Sequence, residues 1–485
     1  MMIYDLSSKA ALYDKLKKLS VCLLLIAGFT ACSLNIPYEN QYSDPDAIST
    51  AAKARELLAT AYAQLPDASF ELSVLSDDFE PNAILPKDVS LNNLYKWQTL
   101  PIEQLALTLW QGYYGSVAIA NAVLERASLL KTEGNPKELQ SLQAVMAEAK
   151  AMKAYCSFNL LRLFALDYAD GSTNEGIPLK SKLEMESLPR ADVKTCTDTI
   201  RSLLTEALET NYTVSDEYWF SPNSLYYLMA ELELYAHNYE QAAHYAGKVI
   251  AAQGGYETME EKSYRALWTD AACSERIFSW FTENYYYTGI NMTKEAGDYL
   301  TVNTSLLSLY EADDVRRNAT VFPFKLDDNT LTDEEATVQC FGKYNKENKE
   351  KRNFHTVNRY RVSGACFILA EALTRGGKDT GIQEAIKTMN RYLSARKAAL
   401  LPEEGLTGEK LLAIILQEKW KEFVGEGERY FDLKRLRKTI LSEWNTTGVV
   451  AVKSAKPDDY RWNFPIPRGE YLYNDRMTQN DGWPK

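Results

Sequence analysis

Histidine is scarce in this chain, with only three in 485 residues, so the side chain most used for proton transfer and metal ligation is nearly missing. His237, His244 and His355 form no His-x-x-x-His pair, and the seven cysteines include no Cys-x-x-Cys pair, so the spacing excludes the common metal motifs. No Gly-x-Ser-x-Gly elbow and no Gly-rich phosphate cradle occur. These gaps leave no residues for an enzyme and imply no cofactor. Basic excess is missing too: 54 Lys and Arg stand against 66 Asp and Glu, a net charge of −12, which excludes a nucleic-acid partner. Long apolar runs are absent. The run Leu19–Phe29, broken by Ser20, is too short to span a bilayer, which takes roughly 20 apolar residues.

That short run has a different use. Lys15, Lys17 and Lys18 precede it and small residues follow, which is the form of a secretory signal. It ends in Phe29-Thr30-Ala31-Cys32, similar to a relaxed lipoprotein cleavage box. Residues 1–31 are therefore expected to be a lipoprotein signal peptide, with Cys32 lipidated and 32–47 a polar tether. A conventional signal cut nearby is the alternative. The remaining cysteines, Cys156, Cys196, Cys273, Cys340 and Cys366, are odd in number and scattered, which is no disulfide framework. Cys156 and Cys366 fall inside apolar helical patterns and read as buried thiols.

With 46% hydrophobic and 25% charged residues the body is globular, and 48–485 reads as a single domain. Helical periodicity runs from Ile48, over 103–131 and over 138–168. Residues 222–251 carry the clearest unit: Tyr226, Ala230, Tyr239, Ala242, Tyr245 and Ile250 follow tetratricopeptide spacing, with His237-Asn238 at the turn. Weaker copies occur at 138–165 with 191–209, and at 363–395. Such hairpins stack to bury their faces, so the fold is expected to be mainly α, built of stacked tetratricopeptide-like hairpins. Two stretches read as loop-rich excursions: 66–101, with four prolines, Asn92-Asn93, Tyr95 and Trp97, and 252–345, rich in Tyr, Trp, Asn and Gly.

The stretch Leu411–Arg437 organises the rest. Leu412, Ile415, Leu416, Trp420 and Phe423 recur at helical steps, with Glu418 and Glu422 one turn apart. Gly425 and Gly427 stop the helix, and Arg429, Asp432, Lys434 and Arg435 follow. Glu418, Glu422, Arg429, Asp432 and Arg435 are read as a structural ion-pair signature that folds the helix end onto its neighbour, and not as a ligand clamp.

The run QEKWKEFVGEGERYFDLKRL resembles the C-terminal signature of the SusD/RagB family. Other tracts agree: LWQGYYGSVAIANAVL at 109–124, Pro465-Ile466-Pro467, Glu470, Asn474 and the closing Gln479-Asn480-Asp481-Gly482-Trp483. The resemblance covers about 33–485. It implies a lipid-anchored outer-membrane protein facing the cell exterior. Its implied partner is a SusC-like TonB-dependent β-barrel transporter, to which it would pass an oligosaccharide. Peptide capture is the alternative within the family, and a repeat scaffold without a small ligand is the alternative outside it.

Thirty-one tyrosines and nine tryptophans supply flat faces with polar tips, suited to a sugar ring. The candidate ligand residues lie in the two excursions: Asp77, Asp78, Asn93, Tyr95 and Trp97 in the first, Tyr285, Tyr286, Tyr287 and Asn291 in the second. Adjacent acids such as Asp77-Asp78 are expected by chance among 66, so a loop or cap role outweighs an acid–base one.

Overall fold

Helix starts are written into the chain as a Ser, Thr, Asp or Asn whose side chain satisfies an unpaired amide of the first turn. Thr50 accepts from the Lys53 amide at the head of α1 (Ala51–Ala63). The computed structural model describes residues 48–485 apart from 82–88, 133, 169–170, 185, 286–299, 326–331, 333–336, 345–353 and 447–448. The expected signal peptide, Cys32 and the tether therefore lie outside the described residues. After α1 come α2 (Ser69–Leu75), β1 (Phe79–Pro81), α3 (Val89–Tyr95), α4 (Thr99–Ala127), α5 (Pro136–Phe164), α6 (Val193–Glu209), α7 (Pro222–Tyr235) and α8 (Tyr239–Ala252). Asn135, Asp192 and Ser221 cap α5, α6 and α7, and a proline fits the first turn of α5 and of α7 because its missing N–H would have no partner there.

The middle of the chain is shorter-grained. It holds α9 (Glu261–Ala266), β2 (Arg276–Tyr285), β3 (Leu300–Val302), α10 (Thr304–Leu307), α11 (Val315–Thr320), β4 (Val321–Lys325), β5 (Thr337–Phe341) and β6 (Phe354–Arg361). Helices then resume with α12 (Val362–Arg375), α13 (Asp379–Ala395), α14 (Gly408–Phe423) and α15 (Glu428–Arg435), before β7 (Ile440–Thr446), β8 (Val449–Ala455) and α16 (Gly469–Tyr473). The described strands pair antiparallel, two by two: β1 with β3, β2 with β6, β4 with β5, β7 with β8.

The fold is mainly α, a stack of helical hairpins. α4 packs on α5, α5 on α6, α6 on α7, α7 on α8, α8 on α12, and α12 on both α13 and α14. The α7–α8 hairpin turns where the spacing predicts, with His237 left-handed at φ 60°. Small residues make the close crossings. A Cβ on Gly364 of α12 would sit 1.9 Å from the Tyr227 hydroxyl of α7, so only glycine lets these helices meet.

The excursion 66–101 is not the loop that its prolines and polar residues suggest. It contains α2, β1 and α3, and α4 already begins at Thr99. Phe70, Leu72, Val74 and Leu75 are buried as α2 packs on α15. Composition missed this because the apolar partners are 350 residues away.

The end of α14 enters a buried ionic cluster. Arg361 binds Glu422, and also Glu426 at 2.7 Å and Glu275 at 3.3 Å. Arg396 binds Glu275 at 2.6 Å and Glu422 at 3.0 Å, and Tyr392 donates to Glu422 at 2.6 Å. Arg316 reaches Glu418 at 2.7 Å and Asp314 at 2.6 Å; Lys421 reaches Glu418 at 3.0 Å, and Lys343 reaches Glu426 at 2.8 Å. Burial alone would raise the Glu422 pKa, yet the Arg396 and Arg361 guanidiniums hold it well below the carboxylate range.

The partners differ from those expected. The charges of α15 do not return to Glu418 and Glu422. Asp432 pairs with Lys419 at 3.0 Å, Arg435 with Glu371 at 2.7 Å, and Arg429 with Asp77 at 2.7 Å. Glu418 and Glu422 point into the interior, whereas Lys419, about 100° further round the helix, meets α15.

Glu422→Gln keeps the shape but leaves Arg361 and Arg396 short of counter-charge, and is expected to cost about 3–5 kcal/mol in urea unfolding. Because the folded pKa is depressed, the Glu422 contribution is present above the unfolded carboxylate range and is lost as pH falls through the folded value. The gap between wild type and variant is therefore expected to narrow in acid; a gap independent of pH would contradict this.

Candidate functional site

The first excursion places its candidates inward. Trp97 is fully buried, its Nε1 donating to the Leu75 carbonyl at 2.8 Å, its ring edge-on to Trp462 at 4.6 Å. Tyr95 is 1% exposed, with the Lys453 ammonium 4.1 Å from its ring centre. Asp78 is fully buried and accepts from Trp420 Nε1 at 2.9 Å and from the Gly425 amide at 3.0 Å. Asp77 is held bidentate by Arg429. Asn93, half-buried on α3, is the candidate of this group least committed to the interior, although its main-chain carbonyl accepts from Gln98. Asp78, Tyr95 and Trp97 are thus buried in the packed frame, whereas Asp77, its side chain 27% exposed, is tied to that frame through Arg429. They looked like loop residues because the β7–β8 and α14–α15 segments that enclose them are remote in sequence.

Titration in this region follows from burial. Desolvation pushes the Asp78 carboxyl up to about 6, against the pull of the Gly425 amide. Desolvation brings the Lys453 amine down to about 7. Its Nζ donates to the carbonyls of Val74 and Ser76, at 2.6 and 2.5 Å.

The second excursion behaves differently. Tyr285 ends β2 opposite Phe354. Its side chain, and Tyr286, Tyr287 and Asn291 altogether, lie outside the described residues. Within the same stretch the structure exposes Phe281, 59% accessible. Its ring lies nearly parallel to His355 of β6, 12° between planes at 5.6 Å, and Tyr218 meets it edge-on at 5.5 Å. This platform is firmly held. The Tyr218 hydroxyl hydrogen-bonds Thr356 Oγ1 at 2.7 Å, His355 Nδ1 pairs with the Thr282 carbonyl at 2.9 Å, and Asp270 accepts from the amides of His355 and Thr356. Strand alternation sends the neighbouring Trp280 the other way, under the Arg359 guanidinium at 3.5 Å. Nothing local marked Phe281, since Ile277-Phe278-Ser279-Trp280-Phe281 is apolar without alternation. Tyr218 and His355 carried no local signal, because β2–β6 pairing brings them together.

Two concave surfaces accompany the platform. A groove of about 880 Å³ runs between α8 and α13 past Tyr256 and Arg391. A cleft of about 440 Å³ lies by the C-terminal tail, near Asp167 and Tyr460. Among the described residues no group of three His, Cys, Asp or Glu is placed to hold a metal ion, and no helix is long and apolar enough to cross a membrane. The described cysteines are free thiols, and burial raises those of Cys156 and Cys366.

Two family descriptions match the chain: "Starch-binding associating with outer membrane", SusD-like, over residues 36–225, and the SusD family over 211–483. SusD-like protein P38 of Formosa agariphila is 23% identical, the match covering 88% of this chain and 93% of that protein. A SusD superfamily protein of Bacteroides vulgatus superposes with a TM-score of 0.74 at 21% identity, covering 90% of this chain and all of that one. A SusD-like carbohydrate binding protein of the same organism gives 0.72 at 18% identity, over 88% and 97%.

Trp97→Ala is expected to lower stability by about 3–5 kcal/mol in chemical denaturation, the cost of an emptied aromatic site; an unchanged midpoint would contradict its core position. For Asp78 the folded pKa lies above the ordinary one, so its stabilisation is present below the unfolded value and lost as pH rises through about 6. Unfolding of wild type minus Asp78→Asn is expected to slope between about pH 4 and 6, at roughly 1.4 kcal/mol per unit at most; a flat difference would refute it.

Proposed function

The chain belongs to the SusD family, and from that membership we propose that it captures an oligosaccharide at the cell surface and passes it to a TonB-dependent outer-membrane transporter. The carrying observation is the exposed Phe281 face, fixed between His355 and Tyr218 on a paired strand. A pyranose has one apolar C–H face and a rim of hydroxyls, so a rigid ring with polar neighbours suits it. The Tyr218 hydroxyl, bonded to Thr356, supplies a polar neighbour at the ring edge. Rigidity matters because a platform already in place loses little freedom on binding. Asn93, Tyr285, Tyr286, Tyr287 and Asn291 remain in the proposal as candidate ligand contacts.

Lipidation of Cys32, with 33–47 as a tether, would hold the protein on the outer membrane facing the exterior; an acyl anchor binds without spanning. Delivery to the transporter needs no covalent step, only a state of the pair that ligand favours through contacts made there. Phe281→Ala is expected to weaken binding of the recognised oligosaccharide at least tenfold, about 1.4 kcal/mol, without moving the melting temperature. Calorimetry across maltooligosaccharides and other neutral glycans measures it. Retained affinity would remove the platform. Binding of oligopeptides alone would turn the reading to peptide capture, and silence to both would favour a scaffold.

A further inference from the structure

The imidazole beside Phe281 has its hydrogen-bonding roles assigned by the strand it packs on. His355 Nδ1 lies 2.9 Å from the Thr282 carbonyl oxygen. A carbonyl oxygen only accepts, so Nδ1 holds the proton, and in a neutral imidazole Nε2 is then left as an acceptor. Strand pairing fixes both partners: Thr282 follows Phe281, which is set opposite Thr356 on β6. Asp270 Oδ1 takes the main-chain amides of His355 and Thr356, both at 3.0 Å, so the backbone under the imidazole is pinned as well.

Nε2 itself is unengaged. Among the described residues nothing donates to it, and it is not one of the unpartnered atoms sealed away from solvent. His355 is half-buried, its ring 12° from parallel with the Phe281 ring at 5.6 Å. The Tyr218 hydroxyl, on another side of Phe281, is already spent on Thr356 Oγ1. A preset acceptor therefore stands next to the exposed apolar face.

We infer that His355 Nε2 receives a hydrogen bond from one hydroxyl of the ring stacked on Phe281, and that His355 thereby sets which neutral glycans the platform keeps. This rests on the Phe281 platform being the glycan site. An aromatic face alone selects weakly, because most pyranoses present a C–H face to it. A fixed acceptor selects strongly: a site that receives a hydroxyl rejects the analogue lacking it. The tautomer gives that selection a direction, since Nε2 gains nothing from a ligand oxygen that can only accept, such as a methyl ether.

Tautomer and specificity are measured separately. Long-range proton–nitrogen correlation NMR of the free protein in mildly alkaline buffer is expected to show His355 protonated at Nδ1 and bare at Nε2; a proton on Nε2 would overturn the assignment. Calorimetry follows with maltotetraose, cellotetraose, xylotetraose and mannotetraose. At least one is expected to bind wild type and to lose at least threefold in His355→Asn, whose amide can keep the Thr282 bond but places no atom at Nε2. His355→Gln, whose side-chain oxygen reaches the place of Nε2, is expected to stay within twofold of wild type. Across monodeoxy analogues of the bound sugar, one position is expected to cost wild type threefold and His355→Asn nothing. Equal binding by wild type and His355→Asn, with Phe281→Ala still tenfold weaker, would overturn the His355 contact and leave the platform standing. Retained affinity in Phe281→Ala, or no binding by wild type, would overturn both.

Discussion

Charge neutrality in the interior is the constraint around which this protein is built. Glu275, Asp314, Glu418, Glu422 and Glu426 meet Arg316, Arg361, Arg396, Lys343 and Lys421, five acids against five bases, nearly all withdrawn from water. An isolated ion in such a place would be prohibitively unstable, so the ten must assemble together or not at all. They come from the end of β6, from α11 and α14, from the C-cap of α13 and from turns, between residues 275 and 426. Their pairing therefore ties the short-grained middle of the chain to the helical stack.

The turn after this cluster carries the constraint outward. Gly425 adopts φ 78°, and a Cβ there would lie 2.2 Å from the Phe341 ring. That geometry aims its amide at Asp78 and sets α15 over α2. The first excursion is clamped as a result, its aromatic residues spent on the core. Phe281, on the paired strand β2, is a flat ring that remains outside.

The likeness to SusD superfamily structures lies in this frame: TM-scores above 0.7 persist at identities near 20%. A rigid stack with an exposed aromatic platform at Phe281 suits a protein that holds a ligand. The strongly shifted groups Asp78, Lys453 and Glu422 are buried in structural contacts.

Periodicity and turn residues were enough to place the helical hairpins, the His237 turn and the stop at Gly425, because each depends on neighbours within a few residues. The run from Glu418 to Arg435 could be recognised as a set of structural charges for the same reason, through spacing on one helix and its return. Its partners could not: Arg316, Arg361 and Arg396 are set by packing across more than a hundred residues. Nor could the fate of Trp97 and Phe281. Both sit in aromatic, polar stretches, and local sequence does not distinguish them. Tertiary packing of α2, β7–β8 and α15 closed over one, and the β2–β6 pairing left the other facing water, since burial is a property of what comes to lie opposite a residue.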